Sequence, residues 1–532
     1  MAGDDAALPS TPAPDAVPDV RDVDADGAVV WHREHLRTAD QLAVARAAAA
    51  DLLCPLFVFD PRFYGSRGLS CDARLAVLHD SLDDLDRQYR AVSDDDVGLT
   101  FCHGDPLAVL DRFRDRGWDV FAMDCPTGRY GRRRDAAAAR RGGTFVDGDG
   151  LVRGTDRTRR NWQETVESFL TAERFDWDPA TVELVEVPTA ATPERVAEAY
   201  DVTPRKTMVP EGGTRRAVET LSDFVGDIGS YPGAISSPVD ARTGTSGLSP
   251  YLKYGCLSVR QAYQHVQDHA PACRGRELFV SRLFWNLHYR QKVLDWPGWL
   301  DSAVNPVLEA FNGDRHDEAL VERWKRGTTG YPMVDASMRC LRETGWLNFR
   351  MRAMCASFYY HVLHQPWWIG ADYFHQELVD SVAAINYTQW QSQCGLVGKP
   401  GLRLYNPRKQ VRDQDPDGEF ITRWVPELDA LPTEFLDRPE RTPEAVQRDS
   451  GVVVGETYPY PVKQYEPAKE AFWRRYEAVQ GEAAAALGDE TVARRASLSG
   501  GVAGARAIAE EYGVTDPDGP TETQADLSAF SG

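Results

Sequence analysis

Apolar runs alternate with helical segments over the first 150 residues of the chain. Four short runs, rich in Val, Leu and Phe, end in polar turns, and they occupy residues 29–31, 53–59, 97–101 and 120–123. Strands that alternate with helices form parallel sheets that are covered by helices on both faces. The pattern therefore predicts a doubly wound α/β domain over residues 25–150.

Helical periodicity dominates from residue 216 to residue 485, where extended β-branched runs are few. We therefore predict a second, nearly all-α domain over this range. Residues 151–215 are irregular and rich in Pro, Thr and charge, which indicates a long interdomain connector. Residues 1–24 form an acidic segment rich in Ala, Asp and Pro, and residues 486–532 are rich in Ala, Gly and Ser. Both ends have little to bury and are expected to be disordered.

The composition places limits on compartment and partners. The formal net charge is −21 and the isoelectric point is near 5.0. Such a charge either excludes nucleic-acid binding or belongs to a protein of a high-salt cytoplasm whose basic residues are concentrated at one site. No apolar run approaches the roughly 20 residues of a membrane span, and the nine Cys show no metal-ligand spacing. We expect a cytoplasmic monomer with no metal and no membrane segment.

A first candidate for chemistry is the segment Thr-Ser-Gly-Leu-Ser-Pro at 245–250. A hydroxyl residue ahead of Pro is typical of a helix start, where the side chain caps free backbone N–H groups. The same helix end attracts anions, because its N–H groups and its dipole face the ligand. From these residues alone, the segment is either an ordinary N-cap or an anion-binding loop.

A denser set of motifs runs from Trp324 to Leu428. It contains Trp-Lys-Arg-Gly-Thr-Thr-Gly-Tyr-Pro at 324–332, Gly-Trp-Leu-Asn-Phe-Arg-Met-Arg at 345–352, and Tyr-Asn-Pro-Arg-Lys-Gln at 405–410. In order and spacing, these blocks resemble the FAD-binding half of the photolyase/cryptochrome family. The polar turns of the first 150 residues resemble the antenna domain of that family more loosely.

The resemblance implies a set of cofactor contacts. Arg352 and Asp380 would form an ion pair beside the flavin ring, and Asn386 would face its N5 atom; protein hydrogen bonds of this kind decide which redox state of a flavin persists. Val382 stands where the family usually has an acid. The remaining FAD contacts implied by the resemblance are Tyr231, Thr245, Ser246, Gly247, Leu248 and Ser249.

Tryptophans would carry electrons to the flavin during photoreduction. By resemblance, Trp390 lies closest to the flavin and Trp367 is the next member of the chain. The third tryptophan of the family should fall near residue 314, where this sequence has Asp314. The outer step would therefore use Trp368 or a tyrosine, or be absent.

A helix at 282–291 would hold the lesion, because aromatic and basic residues one turn apart suit a flipped base. Trp285 matches the family, but three other positions of the lesion pocket depart from it: Arg282, Asn286 and Phe349 replace a glutamate, an arginine and an asparagine. Arg403 and Lys409 are either phosphate contacts or ordinary loop charge. These changes indicate a divergent subgroup.

The resemblance implies a light-driven DNA photolyase that repairs UV-induced pyrimidine dimers in single- or double-stranded DNA. The cyclobutane bonds would be split by an electron from light-excited, reduced FAD. A second antenna chromophore, a folate or a deazaflavin, would accompany FAD. The alternative is a cryptochrome-like blue-light photoreceptor without repair activity, and an ordinary FAD electron carrier is a third candidate.

Overall fold

The computed structural model describes residues 16–154 and 157–513, which form an α/β domain followed by a helical domain. Six parallel strands make up the sheet, and five of them lie in the order β3-β2-β1-β4-β5, with β6 paired to β2. The strands are β1 (Gly27–His32), β2 (Leu52–Phe59), β3 (Thr100–His103), β4 (Asp119–Met123), β5 (Thr144–Val146) and β6 (Glu183–Leu184). The predicted doubly wound α/β domain is confirmed.

The burial of the central strands is that of a sheet covered by helices on both faces. Every residue of β1 is buried, as are seven of the eight in β2, because helices cover both faces and leave no polar alternation. The helices of this half of the chain are α1 (Leu42–Ala47), α2 (Asp72–Val92), α3 (Pro106–Arg114), α4 (Arg129–Arg140), α5 (Arg159–Thr171) and α6 (Pro193–Ala199).

The connector is more ordered than its composition predicts. Helices α5 and α6 and strand β6 all lie within 151–215, and β6 extends the sheet by pairing with Leu52 and Leu53. The irregular connector predicted for this range is therefore wrong over these elements. A polar sequence becomes ordered here because tertiary contacts with the helix Val259–His269 and with α2 supply what its own periodicity lacks.

Residues 214–512 form the helical domain, and the predicted all-α class is confirmed. Its helices are α7 (Thr214–Gly226), α8 (Tyr231–Ala234), α9 (Ala241–Gly244), α10 (Ser249–Tyr254), α11 (Val259–His269), α12 (Arg274–Asp295), α13 (Glu318–Arg326), α14 (Pro332–Thr344), α15 (Phe349–Ser357), α16 (Trp367–Glu377), α17 (Ala383–Cys394), α18 (Pro407–Gln414), α19 (Glu419–Trp424), α20 (Glu444–Ser450), α21 (Tyr465–Ala486), α22 (Glu490–Ala496) and α23 (Gly501–Tyr512). A π-helical turn at Phe358–Val362 continues α15. No helix of the described ranges is long and apolar enough to cross a bilayer.

The described parts of both chain ends pack on the hydrophobic cores, whereas the sequence predicted disordered tails. Helices α22 and α23 bury Val492, Ala493, Ala496 and Ala505 in the main helical core, so the disordered tail predicted from residue 486 is wrong over 490–512. Val17 and Val20 pack into the sheet core at the other end of the chain, which corrects the prediction for 1–24 at these positions. Residues 1–15 and 514–532 lie outside the described residues.

Candidate FAD and DNA site

An ion pair joins the start of α15 to the segment before α17. Nη2 of Arg352 lies 2.9 and 3.1 Å from the two carboxylate oxygens of Asp380, and its Nε donates to the backbone oxygen of Leu347 at 2.6 Å. The Asp380 side chain is only 4% exposed, so its charge is balanced mainly by this arginine. The structure thus brings together the two residues expected to form a pair beside the flavin.

Asn386 lies on the first turns of α17 and is buried. Its amide Nδ2 donates to the backbone oxygen of Ala371 at 2.9 Å, which fixes the orientation of the side chain. The Oδ1 atom accepts no hydrogen bond from the described residues, and it is not fully enclosed by protein. This acceptor is therefore free to bind a ligand. A flavin N5–H is a fitting donor, so the residues present fit the cofactor.

The segment 245–249 differs in detail from an ordinary N-cap. Helix α10 begins at Ser249, but its cap residue is Leu248, which makes no side-chain capping bond. The Thr245 hydroxyl instead donates to the backbone oxygen of Ala241 at 2.7 Å, and Ser246 Oγ accepts weakly from Leu248 N–H at 3.4 Å. Of the two alternatives for this segment, the ordinary N-cap is not observed, and Gly247, at a φ of +62°, turns the backbone there.

Tyr231 lies at the start of α8 and is 7% exposed. Burial raises the pKa of its hydroxyl, and the neighbouring Arg282 guanidinium lowers it again. Arg282 itself is exposed, so it connects a buried tyrosine of the expected FAD loop to the surface of α12. Val382, the other expected cofactor neighbour, is buried among apolar residues at the N-cap of α17.

Asn348 holds the site together, which the sequence did not suggest. Its Nδ2 lies 3.1–3.4 Å from the backbone oxygens of residues 235, 236 and 237, and its Oδ1 caps α15 at Met351 N–H. Arg350 adds a bond to Ser236 Oγ at 3.0 Å. These bonds fix the start of α15 against the loop that follows α8. Only the tertiary structure reveals this role, since an Asn before a helix is otherwise read as a simple cap.

Trp390 is buried within an aromatic cluster. Its ring centroid lies 5.2 Å from Phe374, 5.7 Å from Tyr359 and 6.1 Å from Trp324. Trp367 has different neighbours, since its ring lies 6.4 Å from Trp368. Trp368 is partly exposed, and Trp367 is buried. Trp368 therefore lies beside Trp367, and two further oxidisable rings, Tyr359 and Trp324, surround Trp390.

Two large rings of the expected lesion pocket are exposed. Trp285 is 44% exposed and stacks on Tyr289 at 5.5 Å, and Phe349 is 54% exposed at the first position of α15. Asn286 Oδ1 accepts a bond from Arg290 Nε at 3.0 Å, so its amide is engaged along α12.

The expected phosphate contacts lie on the surface. Arg403 is exposed and lies over the Tyr405 ring at 4.9 Å. Lys409 is exposed with a long ion pair of 4.0 Å to Asp413. Both residues keep charge available to a ligand, because contacts of this length at a surface are weak.

A separate crevice of about 670 Å³ lies at the carboxyl ends of β2, β3 and β4. Four arginines and a tyrosine contribute to its lining, namely Arg62, Arg67, Arg133, Arg134 and Tyr130. Open α/β sheets bind ligands at this edge. The crevice therefore suits an anionic, aromatic ligand. The described residues contain no group of three or more His, Cys, Asp or Glu side chains placed to hold a metal.

An α/β domain is joined to a helical domain that carries the Arg352–Asp380 pair and the free amide oxygen of Asn386, an arrangement that fits a two-domain flavoprotein. Residues 279–478 match the FAD-binding domain of DNA photolyase, and residues 28–144 match DNA photolyase. The chain belongs to the photolyase/cryptochrome family, and its helical domain binds FAD.

The relatives carry two kinds of name. The chain is 30% identical to the deoxyribodipyrimidine photo-lyase of Synechococcus sp., over 78% of this chain and 90% of the relative. It is 31% identical to the cryptochrome DASH of Natronomonas pharaonis, over 82% and 98%. A bacterial class III photolyase from Agrobacterium tumefaciens shares the fold with a TM-score of 0.72 and 26% identity, over 86% and 98% of the two chains. The relatives show which family the chain belongs to, but they do not distinguish DNA repair from light sensing.

Proposed function

We propose that this protein is a light-driven DNA photolyase that acts on UV-induced pyrimidine dimers. The observation that carries the proposal is the pair of exposed rings, Trp285 and Phe349, at the pocket expected to receive the lesion. Exposing two large rings costs hydrophobic free energy in an isolated protein. Stacking against a flipped base would recover it.

Different residues of the chain would bind the cofactor, donate the electron and bind the lesion. Arg352, Asp380 and Asn386 would hold the flavin edge, and Tyr231 with Thr245, Ser246, Gly247, Leu248 and Ser249 would hold the phosphate end. FAD, when bound, supplies light-driven one-electron chemistry. Trp390 would donate the electron that activates the cofactor, and the aromatic core around it would exclude water. Trp285 and Phe349 would orient the dimer, while Arg282, Asn286, Arg403 and Lys409 would contact its polar edge and its phosphates.

The arginine-lined crevice of the α/β domain supports a second chromophore. Its four guanidinium groups would pair with carboxylates or phosphates of an antenna pigment, and Tyr130 would pack against the ring. A folate and a deazaflavin both meet these requirements. Reconstitution of purified protein with each pigment, followed by an excitation spectrum of repair, would identify the pigment.

A blue-light photoreceptor is the second candidate. Arg282 and Phe349 favour it, because neither can accept hydrogen bonds from base N–H groups as the glutamate and asparagine of the family can. A photoreceptor would keep the flavin cradle and lose the lesion contacts, which is the pattern of the departures in this chain.

Illumination of the purified protein separates the two functions. Protein with fully reduced FAD is mixed with dimer-containing single- and double-stranded DNA, exposed to blue light, and assayed for dimers by chromatography, with a dark sample as control. We expect light-dependent loss of dimers, faster in single strands because the departures weaken the grip on a flipped base. Intact dimers in both DNA forms would reject the photolyase and leave the photoreceptor.

A further inference from the structure

A buried tyrosine, Tyr387, lies beside the tryptophans expected to reduce the flavin. It follows Asn386 on α17 and stands three residues before Trp390, one helical turn from that indole. Its ring centroid lies 6.5 Å from that of Trp367 on α16. Trp368, the other indole beside Trp367, lies at nearly the same distance, 6.4 Å. Distance alone therefore leaves two candidates for the outer member of the electron chain.

The chemistry of a phenol adds a second requirement. Burial, followed by the charge of Asp372, raises the pKa of the Tyr387 hydroxyl, so this side chain is a neutral phenol before it is oxidised. A phenol that has lost an electron is a strong acid, and a positive charge on a buried ring is unfavourable. A buried tyrosine therefore donates an electron readily only when its proton can move to an acceptor within hydrogen-bonding distance.

Three tyrosines contact the tryptophans of this region, and they differ in what their hydroxyls bind. The Tyr387 hydroxyl donates a hydrogen bond to Oδ1 of Asp372. The Tyr359 hydroxyl is buried and has no partner among the described residues, and that of Tyr373 donates to the backbone oxygen of Lys325 at 3.3 Å. A carboxylate can take up a proton, whereas a backbone carbonyl is far too weak a base. Of the three, Tyr387 alone has a proton acceptor.

The surroundings of the Tyr387–Asp372 pair favour loss of the proton. The Asp372 side chain is 51% exposed, so it can pass a proton on to water. Arg129, from α4 of the α/β domain, donates to Asp372 Oδ1 at 3.1 Å and to the Tyr387 hydroxyl oxygen at 3.3 Å. Its guanidinium lies 4.7 Å from the centre of the Tyr387 ring. A cation over the ring opposes a positive charge there but not a neutral radical.

His375 is the other titratable group beside the phenol. Its ring centroid lies 5.6 Å from that of Tyr387, and its Nδ1 lies 2.7 Å from Ser381 Oγ. Burial, followed by the charges of nearby cations, lowers the pKa of His375 well below its usual value. This imidazole is therefore a poor proton acceptor, which leaves Asp372.

We propose that Tyr387 is the outer electron donor of the tryptophan chain and that Asp372 takes up its phenol proton. Oxidised Trp367, an indole radical cation, gains one electron and becomes neutral. Tyr387 loses that electron together with its hydroxyl proton and becomes a neutral tyrosyl radical, while the Asp372 carboxylate becomes a carboxylic acid. A thiol in solution then returns one hydrogen atom to the tyrosyl radical, and Asp372 releases its proton to water. The inference rests on the proposed photoreduction of FAD through Trp390 and Trp367.

Electron paramagnetic resonance after a light flash, on FAD-loaded protein without thiol, tests the proposal. Wild-type protein with ring-deuterated tyrosine is compared with unlabelled protein, because deuterium narrows the spectrum of a tyrosyl radical and leaves that of a tryptophanyl radical unchanged. The variants are Tyr387→Phe and Asp372→Asn, whose amide cannot take up the proton. The matched controls are Tyr373→Phe, which removes another tyrosine hydroxyl, and Asp301→Asn, which removes the other carboxylate paired with Arg129.

We expect a radical that narrows on tyrosine labelling in the wild type and in both controls. Tyr387→Phe and Asp372→Asn should lose this signal while they keep FAD and a wild-type melting temperature. In deuterium oxide the wild-type tyrosyl radical should form more slowly, because a proton moves with the electron.

A tyrosyl signal that survives in Tyr387→Phe, or that is lost equally in the two controls, would overturn the proposal. So would a wild-type flash that yields only a tryptophanyl radical, which would assign the outer step to Trp368 and leave the photoreduction of FAD standing. A flash that yields no radical of either kind would reject the photoreduction as well. Because the labelled wild type separates these outcomes, the test does not depend on the folding of any variant.

Discussion

At the scale of single residues, the cofactor site rests on a few buried polar groups whose partners are known. The Arg352–Asp380 pair and the fixed Asn386 amide were expected from sequence blocks, and the structure brings the first two within hydrogen-bonding distance. Asn348, which joins α15 to the loop 235–237, was recognisable only from its three carbonyl contacts. A residue that binds backbone atoms distant in sequence leaves no local pattern.

Asp380→Ala should weaken FAD binding at least about tenfold, or ~1.4 kcal/mol, because it leaves Arg352 without its buried counter-charge. Fluorescence titration of the apoprotein with FAD measures the change. Asp413→Ala removes a surface acid of the same domain and should leave the affinity unchanged. Equal affinities for the Asp380 variant and the wild type would show that the pair does not serve the cofactor.

Trp285→Ala should lower the affinity for dimer-containing single strands by about 1–3 kcal/mol, the usual contribution of one base stacked on one ring. Trp285→Phe keeps a ring and should recover most of that loss. Tyr460→Ala removes another exposed ring, 59% exposed, as the control. If the alanine and phenylalanine variants bind like the wild type, no base stacks on Trp285.

At the scale of elements, the aromatic rings that surround Trp390 come from several helices. Trp324 lies on α13, Phe374 on α16, and Tyr359 in the π-helical turn after α15. A π turn inserts an extra residue and redirects the side chains that follow, and such turns are frequent at functional sites. The sequence predicted a helical domain here, and the π turn that carries Tyr359 is visible only in the structure.

Trp390→Phe should greatly slow the reduction of the flavin under blue light with a thiol donor, because phenylalanine is much harder to oxidise than indole. Absorbance at about 450 nm, where an oxidised flavin absorbs, follows the reaction. Trp367→Phe and Trp324→Phe should each slow the flavin reduction less, because in each variant the other tryptophan can still donate an electron to oxidised Trp390. Trp118→Phe, in the core of the α/β domain, is the control. Wild-type rates in the Trp390 variant would reject this chain of rings.

At the scale of the whole molecule, Asp40 joins the two domains and the connector. Arg260 of α11 forms a buried ion pair with it, Ser258 Oγ donates to it at 2.5 Å, and Phe175 N–H donates at 3.1 Å. The Arg260 guanidinium lies between the rings of Phe169 and Phe175, at 4.5 and 4.3 Å. This junction fixes the sheet relative to the helices that carry the FAD loop.

Arg260→Met should lower the free energy of unfolding by about 3–5 kcal/mol, because it leaves the Asp40 carboxylate buried without a counter-charge. Urea denaturation followed by tryptophan fluorescence measures the loss. Arg160→Met breaks an exposed pair with Glu164 and should leave stability unchanged. A loss no greater than that of the Arg160 variant would show that the junction contributes little.

The sequence by itself determined the two-domain architecture, the first four strands of the sheet, and the family to which the cofactor blocks belong. Those features depend on periodicity and on short motifs, which are local. The tertiary structure decided that the connector and the segment of α22 and α23 fold into regular elements. Their polar or small residues become ordered only by packing on distant elements. It also decided the neighbours of Trp390, because these rings come from helices far apart in the sequence.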